Sequence, residues 1–444
     1  MATDYVFAGP SVPASQAREQ LPGCRVLPPI RHGDLLRLWP ERGDRVLIID
    51  GLFLQSAPIR HKEILLLLDR GVMVAGAASM GALRAAELWP YGMRGVGDIF
   101  RLHRDLVITG DDEVAVIHCP AEEGYRPLSE PLVNIRIALR EAAAAGAISG
   151  PEEASLLALA HAIPFRSRGY RLLGQHARER LGAELADRFE SWRGAHARDA
   201  KADDARLLLR MAAADDPALR PADRGDTPIR HAATLLATRW TRRFHGEVAG
   251  EDWVSDADLG TATMLLHPSF PRRHRQDVLA IVAGTARDDP RATELALTAA
   301  RAQGIDERSA ALPVGWLTPA DRAGIPLDEQ LVRLVIRTYG ASPMQERSSL
   351  LADPGVRRWA AQATLVARGW NRLLPGAQGR RARYRDRVVD REFARAWGCA
   401  PDAIEAAAWD RGIPSLRKFR ELAEPFVGYL KAGAPLEPPR VAGG

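Results

Sequence analysis

Residues 71–88, GVMVAGAASMGALRAAEL, hold the side chain best placed to do chemistry. An unbroken apolar run, typical of a buried strand, ends in small residues, and Ser79 follows at the start of an amphipathic helix. A serine between a strand and a helix is the arrangement of a nucleophile elbow, in which amides at the helix start stabilise an oxyanion. The pattern predicts Ser79 as a nucleophile, with Met80 and Gly81 providing the oxyanion-binding amides.

The same residues allow a purely structural interpretation. The string Ala77-x-Ser79-x-Gly81 has alanine where the G-x-S-x-G motif has its first glycine. Serine is also a favoured N-cap residue, and small residues let a helix pack closely on a strand. Ser79 is therefore either a nucleophile or a helix cap.

A nucleophilic serine needs a base, and the helix predicted over 58–71 offers His61 and Lys62. The chain has four lysines among its 61 lysine and arginine residues. A lysine, unlike an arginine, can lose its proton when it is partly buried. Both residues are predicted to be catalytic. For His61, a hydrogen-bonded histidine at the edge of the core is the alternative.

Other charged residues accompany these candidates. Asp50 ends a predicted buried strand, and ligands of open parallel sheets bind at the carboxyl ends of the strands. Asp50, Glu63 or Glu87 would orient the base. Arg84 and Glu87 have the spacing of a packed ion pair. They are also candidate substrate-binding residues, because Arg84 would attract an anionic substrate group. We therefore expect one cleft to contain Asp50, His61, Lys62, Ser79, Met80, Gly81 and Arg84.

Three adjacent acids, Asp111, Asp112 and Glu113, lead a predicted strand over 113–118. Carboxylates bind Mg²⁺, but no supporting ligand pattern accompanies these three. Neither a metal nor a cofactor is predicted.

The elements that must position these residues form an α/β pattern. Helices alternate with predicted strands, which indicates an open, largely parallel, Rossmann-like sheet; the strands are 4–8, 24–27, 45–50, 72–76 and 113–118. From about residue 130 strand signals stop and helical patterns continue. We predict an α/β core domain with trailing helices over 1–195, a linker over 196–229 that is rich in small, acidic and proline residues, and an all-helical domain over 230–444.

Composition limits the partners and the compartment. The net charge is +5, and arginines concentrate in 368–395. Such a patch suits an acidic protein, a nucleotide or a nucleic acid, but a solvated helix face is the favoured interpretation, and no nucleic-acid binding is expected. Three distant cysteines without a C-x-x-C pair indicate a cytoplasmic protein. No apolar run is long enough to span a membrane.

Seven motifs occur in order along the first third of the chain: FAGPSVP (7–13), PP then GDLL (28–36), IIDGLF (48–53), HKEIL (61–65), GAASMGALRAAE (76–87), YGMRGVGDIF (91–100) and DDEVAV (111–116). On these motifs, residues 1–145 resemble the TfuA family, whose members are partner proteins of YcaO enzymes in peptide-backbone thioamidation.

The resemblance implies an accessory protein that hydrolyses a thiocarboxylated sulfur-carrier protein to release sulfide. Its expected partners are the YcaO enzyme, the carrier and the precursor peptide. The alternative is a non-catalytic docking module that binds the YcaO enzyme and its peptide substrate. A hydrolase of small esters is disfavoured, because no clear Asp…His pair follows Ser79.

Overall fold

A computed structural model describes residues 2–52, 56–220, 234–249, 252–306, 308, 315–340, 348–373 and 384–436. The chain divides into two compact units, residues 1–237 and 238–444. Among the described helices, none is long and apolar enough to cross a membrane.

The first unit is built on a five-stranded sheet in which every neighbouring pair of strands is parallel. The strands are β1 Asp4–Phe7, β2 Arg25–Leu27, β3 Arg45–Ile48, β4 Met73–Gly76 and β5 Arg94–Gly95. Their order across the sheet is β2-β1-β3-β4-β5. This confirms the predicted open, parallel α/β architecture.

The central strands are apolar on both sides because helices cover both faces of the sheet. The first five helices are α1 Ala14–Gln20, α2 Asp34–Leu38, α3 His61–Asp69, α4 Met80–Leu88 and α5 Gly97–Arg104. Helices α2 to α5 pack with Val46 and Ile48 on one face. Helix α1 packs with Leu47 and Ile49 on the other.

Five more helices complete the unit: α6 Leu132–Ala144, α7 Gly150–Ala162, α8 Tyr170–Leu181, α9 Ala183–His196 and α10 Ala200–Ala213. Helices α6 to α9 share a core of their own. Helix α10 returns to the sheet, where Ala205 and Leu208 share the core beside α1. Part of the predicted linker is therefore a sheet-covering helix, and residues 221–229 lie outside the described residues.

The strand predicted over 113–118 is wrong. Residues Asp111–Glu113 form a single 3-10 turn, and His118 makes only an isolated bridge with Pro127. The edge of β4 is instead occupied by β5, which follows α4 directly in the chain. Because that edge is already filled, the apolar residues after Glu113 lie outside the sheet.

The second unit is mostly helical, as predicted. Its helices are α11 Leu235–Phe244, α12 Asp256–Leu266, α13 Phe270–Ala283, α14 Ala292–Ala302, α15 Pro319–Gly324, α16 Leu327–Gly340, α17 Pro354–Arg372, α18 Asp386–Trp397, α19 Ile404–Trp409, α20 Leu416–Ala423 and α21 Val427–Lys431. One antiparallel hairpin, β6 Gly246–Ala249 with β7 Asp252–Ser255, departs from the all-helical prediction. Four-residue strands are too short to give a clear periodic signal.

The basic stretch 368–395 is only partly described, since residues 374–383, with Arg380, Arg381 and Arg383, lie outside the described residues. Within the described part, Arg368 donates to Asp258 and to the carbonyl oxygen of Trp253, each at 2.9 Å. These bonds tie this arginine into the fold of the second unit.

Candidate functional site

The strand order creates a switch point between β1 and β3. The chain leaves β1 toward β2 on one side and leaves β3 toward β4 on the other, and open α/β sheets bind ligands outside the carboxyl ends of the strands at such a point. The loop after β1 and Asp50 after β3 meet there.

Asp50 holds this loop through both of its carboxylate oxygens. Its Oδ2 accepts hydrogen bonds from the amides of Gly9 at 2.9 Å and Ser11 at 3.0 Å, and its Oδ1 accepts from the Ser11 hydroxyl at 2.7 Å. The Asp50 side chain is buried. Both oxygens of this buried carboxylate therefore have hydrogen-bond donors, which offset the cost of burying it at the end of β3.

A cavity of about 450 Å³ opens at the same edge of the sheet. Of the residues that the sequence predicts for the site, Asp50, Ser79 and Met80 line it. The segment 114–118, which does not form the predicted strand, provides another part of the wall. The structure thus brings together the predicted nucleophile, the acid after β3 and the first residue of α4.

Ser79 occupies the N-cap position of α4, but its side chain makes no capping hydrogen bond. The residue before it, Ala78, has a φ of +66°, in the left-handed region that residues with a side chain seldom adopt. Strain of this kind concentrates at functional sites. The Ser79 side chain is buried and lines the cavity, so the capping interpretation lacks its hydrogen bond.

The glycines beside Ser79 are explained by packing. A Cβ atom on Gly81 would lie 1.7 Å from the carbonyl oxygen of Ile48, and one on Gly76 would lie 2.0 Å from the carbonyl oxygen of Gly81. The amide of Gly81 donates to the carbonyl oxygen of Ile49 at 3.3 Å. The amide of Met80 belongs to the first turn, which the helix itself leaves without acceptors.

His61, Arg84 and Glu87 form a separate group, which we name the Glu87 cluster. His61 Nε2 lies 2.8 Å from Glu87 Oε2, and Arg84 donates to the same oxygen. Burial acts to raise the pKa of Glu87, but the hydrogen bond from His61 and the charge of Arg84 outweigh it, so the pKa lies below its ordinary value. Among the described residues lining the cavity, none belongs to this cluster, and Lys62 is not one of them either.

Glu63 has a structural position. The fully buried carboxylate accepts from the amide of Gly33 at 2.9 Å and lies 2.6 Å from Nδ1 of His32. It also accepts from the amide of Arg60 at 3.2 Å. Glu63 therefore joins the starts of α2 and α3.

The three adjacent acids, Asp111, Asp112 and Glu113, have different surroundings. Asp111 lines the cavity. Asp112 lies 3.4 Å from Arg168, and Glu113 pairs with Arg136. Within the described part of the chain, no group of three or more His, Cys, Asp or Glu side chains is arranged to hold a metal ion.

Lys201, on α10, also lines the cavity and is absent from the residues that the sequence predicts for the site. Its Nζ donates to the carbonyl oxygen of Val114 at 2.9 Å, and its side chain is buried. Burial lowers the pKa of this lysine, against the opposing charges of Asp50, Asp199 and Glu130. The scarcity of lysine in this chain, which draws attention to Lys62, applies equally to Lys201, but Lys201 falls in the predicted linker.

Residues 50–169 match a family model described as TfuA-like protein. The chain is TfuA-like over this stretch. The match confirms the resemblance drawn from the motifs, and it includes Asp50, Ser79 and the wall segment 114–118. Lys201 lies outside the TfuA-like stretch. A comparison with curated proteins finds no match for the chain.

Proposed function

We propose that this protein is an accessory protein of YcaO-dependent peptide-backbone thioamidation and that it hydrolyses a thiocarboxylated sulfur-carrier protein to supply sulfide. The TfuA-like match supports the accessory role. One observation carries the hydrolytic part: the buried hydroxyl of Ser79 lines a cavity at the carboxyl ends of the strands and is not used to cap its helix.

The reaction proceeds through a covalent intermediate. Oγ of Ser79 loses its proton and bonds to the thiocarboxylate carbon, and the C–S bond breaks as HS⁻ leaves. Water then attacks the serine ester, the bond to Oγ breaks, and the carrier leaves as a carboxylic acid that ionises. The net reaction converts thiocarboxylate and water into carboxylate and H₂S.

Three features of the cavity suit this reaction: the start of α4, the loop at the rim and the volume. The positive end of α4, with the amide of Met80, faces the developing negative charge of the tetrahedral intermediate. Asp50 holds the loop 9–11 at the rim, which keeps the entrance fixed. A cavity of about 450 Å³ admits the end of a carrier chain and not its folded body.

The test is sulfide release from a thiocarboxylated carrier protein by the purified chain without a YcaO enzyme. We expect release by the parent protein and a loss of several orders of magnitude in Ser79→Ala, because the covalent route is removed while the helix amides remain. Ser155→Ala is the matched control, since the Ser155 hydroxyl bonds within its own helix, α7, to the carbonyl oxygen of Pro151 at 2.8 Å.

Two results would contradict the proposal in different ways. A folded Ser79→Ala protein that releases sulfide at nearly the parental rate would exclude the covalent route. A parent protein that releases none, yet binds the YcaO enzyme and its peptide, would favour the docking module instead.

A further inference from the structure

The wall segment 114–118 is hydrogen-bonded to a neighbouring stretch of chain on one side. The amide of Ile117 donates to the hydroxyl of Ser129 at 2.9 Å, and its carbonyl oxygen accepts from the amide of Leu128 at 2.7 Å. Both backbone groups of Ile117 therefore point toward the stretch 126–129, which runs antiparallel to the wall. In an extended chain, the backbone groups of the residues before and after point the opposite way.

Those residues are Val116 and His118, and their bonds follow this alternation. His118 lies opposite Pro127 in the isolated bridge, and the next residue makes the bond at that end, from the amide of Cys119 to the carbonyl oxygen of Arg126 at 2.9 Å. Within the described residues, the amides and carbonyl oxygens of Val116 and His118 make no hydrogen bond. They point away from the stretch 126–129.

The unbonded backbone groups of Val116 and His118 form the free edge of an extended segment. Backbone donors and acceptors need partners, which are either water or another chain, and a free edge is a template for pairing. Both residues line the cavity that contains Ser79, and both are half-buried. An extended segment that enters this cavity would bring its own N–H and C=O groups to the edge.

We propose that Val116 and His118 bind the C-terminal segment of the sulfur carrier as an added β-strand, through main-chain hydrogen bonds. This inference rests on the proposed function for the identity of the occupant. The occupant is a chain terminus because its last carbon must reach Oγ of Ser79, and a cavity of about 450 Å³ excludes a folded body. In strand addition, main-chain bonds give the affinity and adjacent pockets select side chains.

Recognition through the main chain decides what the site can select. Every residue except proline offers the same N–H and C=O groups, so the edge binds an extended tail without distinguishing its side chains. The apolar side chains of Leu52, Leu83 and Phe165 also line the cavity. Selection among tails therefore depends on the size and polarity of their residues.

The test places one N-methyl group at a time in the tail of the carrier. The carrier is made by ligation to a synthetic segment, and each of its last four amide nitrogens is methylated in turn, which removes one N–H. Isothermal titration measures the binding of the carboxylate form to the full-length chain. Because only alternate residues of an added strand bond to the edge, we expect the Kd to rise about tenfold at alternate positions and less than about threefold between them.

The alternation separates main-chain pairing from simple crowding in the cavity. Equal losses at all four positions, or no loss at any of them, would overturn the proposal. An unmethylated carrier that does not bind at all would overturn it as well.

The substitution Val116→Pro removes a donor from the protein side. Within the described residues the amide of Val116 makes no hydrogen bond, so we expect a melting temperature close to that of the parent and a Kd about tenfold higher. A folded Val116→Pro protein that binds the carrier as tightly as the parent would overturn the proposal. If this variant does not fold, the methylated tails still test the parent chain.

Ala121→Pro is the matched control. Ala121 is exposed and is the first residue of a 3-10 turn, a position where proline is tolerated. It is not one of the described residues that line the cavity. We therefore expect its substitution to leave the Kd unchanged.

The two proposals fail separately. Binding that alternates along the tail, in a chain that releases no sulfide, would leave the added strand and remove the hydrolysis. Sulfide release with a KM that no methylation changes would leave the proposed function and remove the added strand.

Discussion

The cavity and the Glu87 cluster both contain residues of helix α4, but their charged side chains differ in exposure and in what they contact. In the Glu87 cluster the carboxylate is 36 % exposed and contacts a histidine and an arginine. In the cavity Lys201 is 4 % exposed and its amine contacts a carbonyl group. Pairing favours the charged state of Glu87, whereas burial without a pair disfavours the charged state of Lys201.

This difference explains why we place the chemistry in the cavity. An ion pair holds its partners in their charged states and fixes their positions. When the pair is exposed, as in the Glu87 cluster, it adds little to the free energy of unfolding. Lys201 makes no ion pair within the described residues, and burial lowers its pKa. His61 and Glu87 pair with each other, and neither lies in the wall of the cavity.

The largest expected effect on stability comes from a substitution in helix α4, which contributes residues to both regions. In Gly81→Ala the new methyl group would meet the carbonyl oxygen of Ile48 at 1.7 Å, and because backbone must shift, we expect a loss of about 3 kcal/mol or more in the free energy of unfolding. Urea denaturation of the parent and the variant measures it.

Gly174→Ala is the control for that substitution. No atom lies within 4 Å of a Cβ atom at Gly174, in helix α8, so alanine there should be neutral or stabilise by about 0.5–1 kcal/mol. Equal effects of the two substitutions would contradict the close packing of α4 on β3.

The second prediction alters the cavity alone. Asp50→Asn places an NH₂ group or a weaker acceptor against the amides of Gly9 and Ser11, so we expect a loss of about 1–3 kcal/mol in the free energy of unfolding. It also removes a negative charge that raises the pKa of Lys201. Urea denaturation of the parent and the variant measures the loss of stability.

Asp44→Asn is a matched control for this change. Asp44 also accepts from two amides, those of Thr3 and Glu41, at 2.8 Å each, but in a partly exposed position. Its substitution should cost less in the free energy of unfolding. Equal losses in Asp50→Asn and Asp44→Asn would contradict the buried hydrogen bonds of Asp50.

The third prediction concerns the Glu87 cluster. Since the pKa of Glu87 is lowered in the fold, its contribution to stability is present above about pH 4.5 and is lost as the pH falls through the lowered value. We expect Glu87→Gln to cost no more than about 1 kcal/mol at pH 7, because the pair is partly exposed. Below the folded pKa the two proteins should have the same melting temperature; a difference that grows on acidification would refute the ion pair.

The smallest expected effect is that of Ser79→Ala on stability. Removing a capping serine costs about 1 kcal/mol, but the Ser79 side chain makes no cap bond, so we expect a loss below about 0.5 kcal/mol. Ser415→Ala, which removes a side chain that accepts from the amide of Lys418 at 3.2 Å, should show the full capping cost. A similar cost at Ser79 would restore the capping interpretation.

The amino-acid sequence by itself determined the local features of this protein. The alternation of apolar strands and amphipathic helices predicted the parallel sheet, and the small residues around Ser79 predicted the tight turn between β4 and α4. Asp50 was placed at the end of its strand for the same reason. These features depend on residues a few positions apart, whose periodicity and turn preferences are visible in the chain.

Only the tertiary structure decided which residues share the cavity. Residues 114–118 have a strand-like composition but line the site, because the edge of β4 was already occupied by β5. Lys201 reaches the same cavity because α10 packs back on the sheet after four intervening helices. Long-range packing also sets burial, and burial rather than residue type separates Lys201 from the charged groups of the Glu87 cluster.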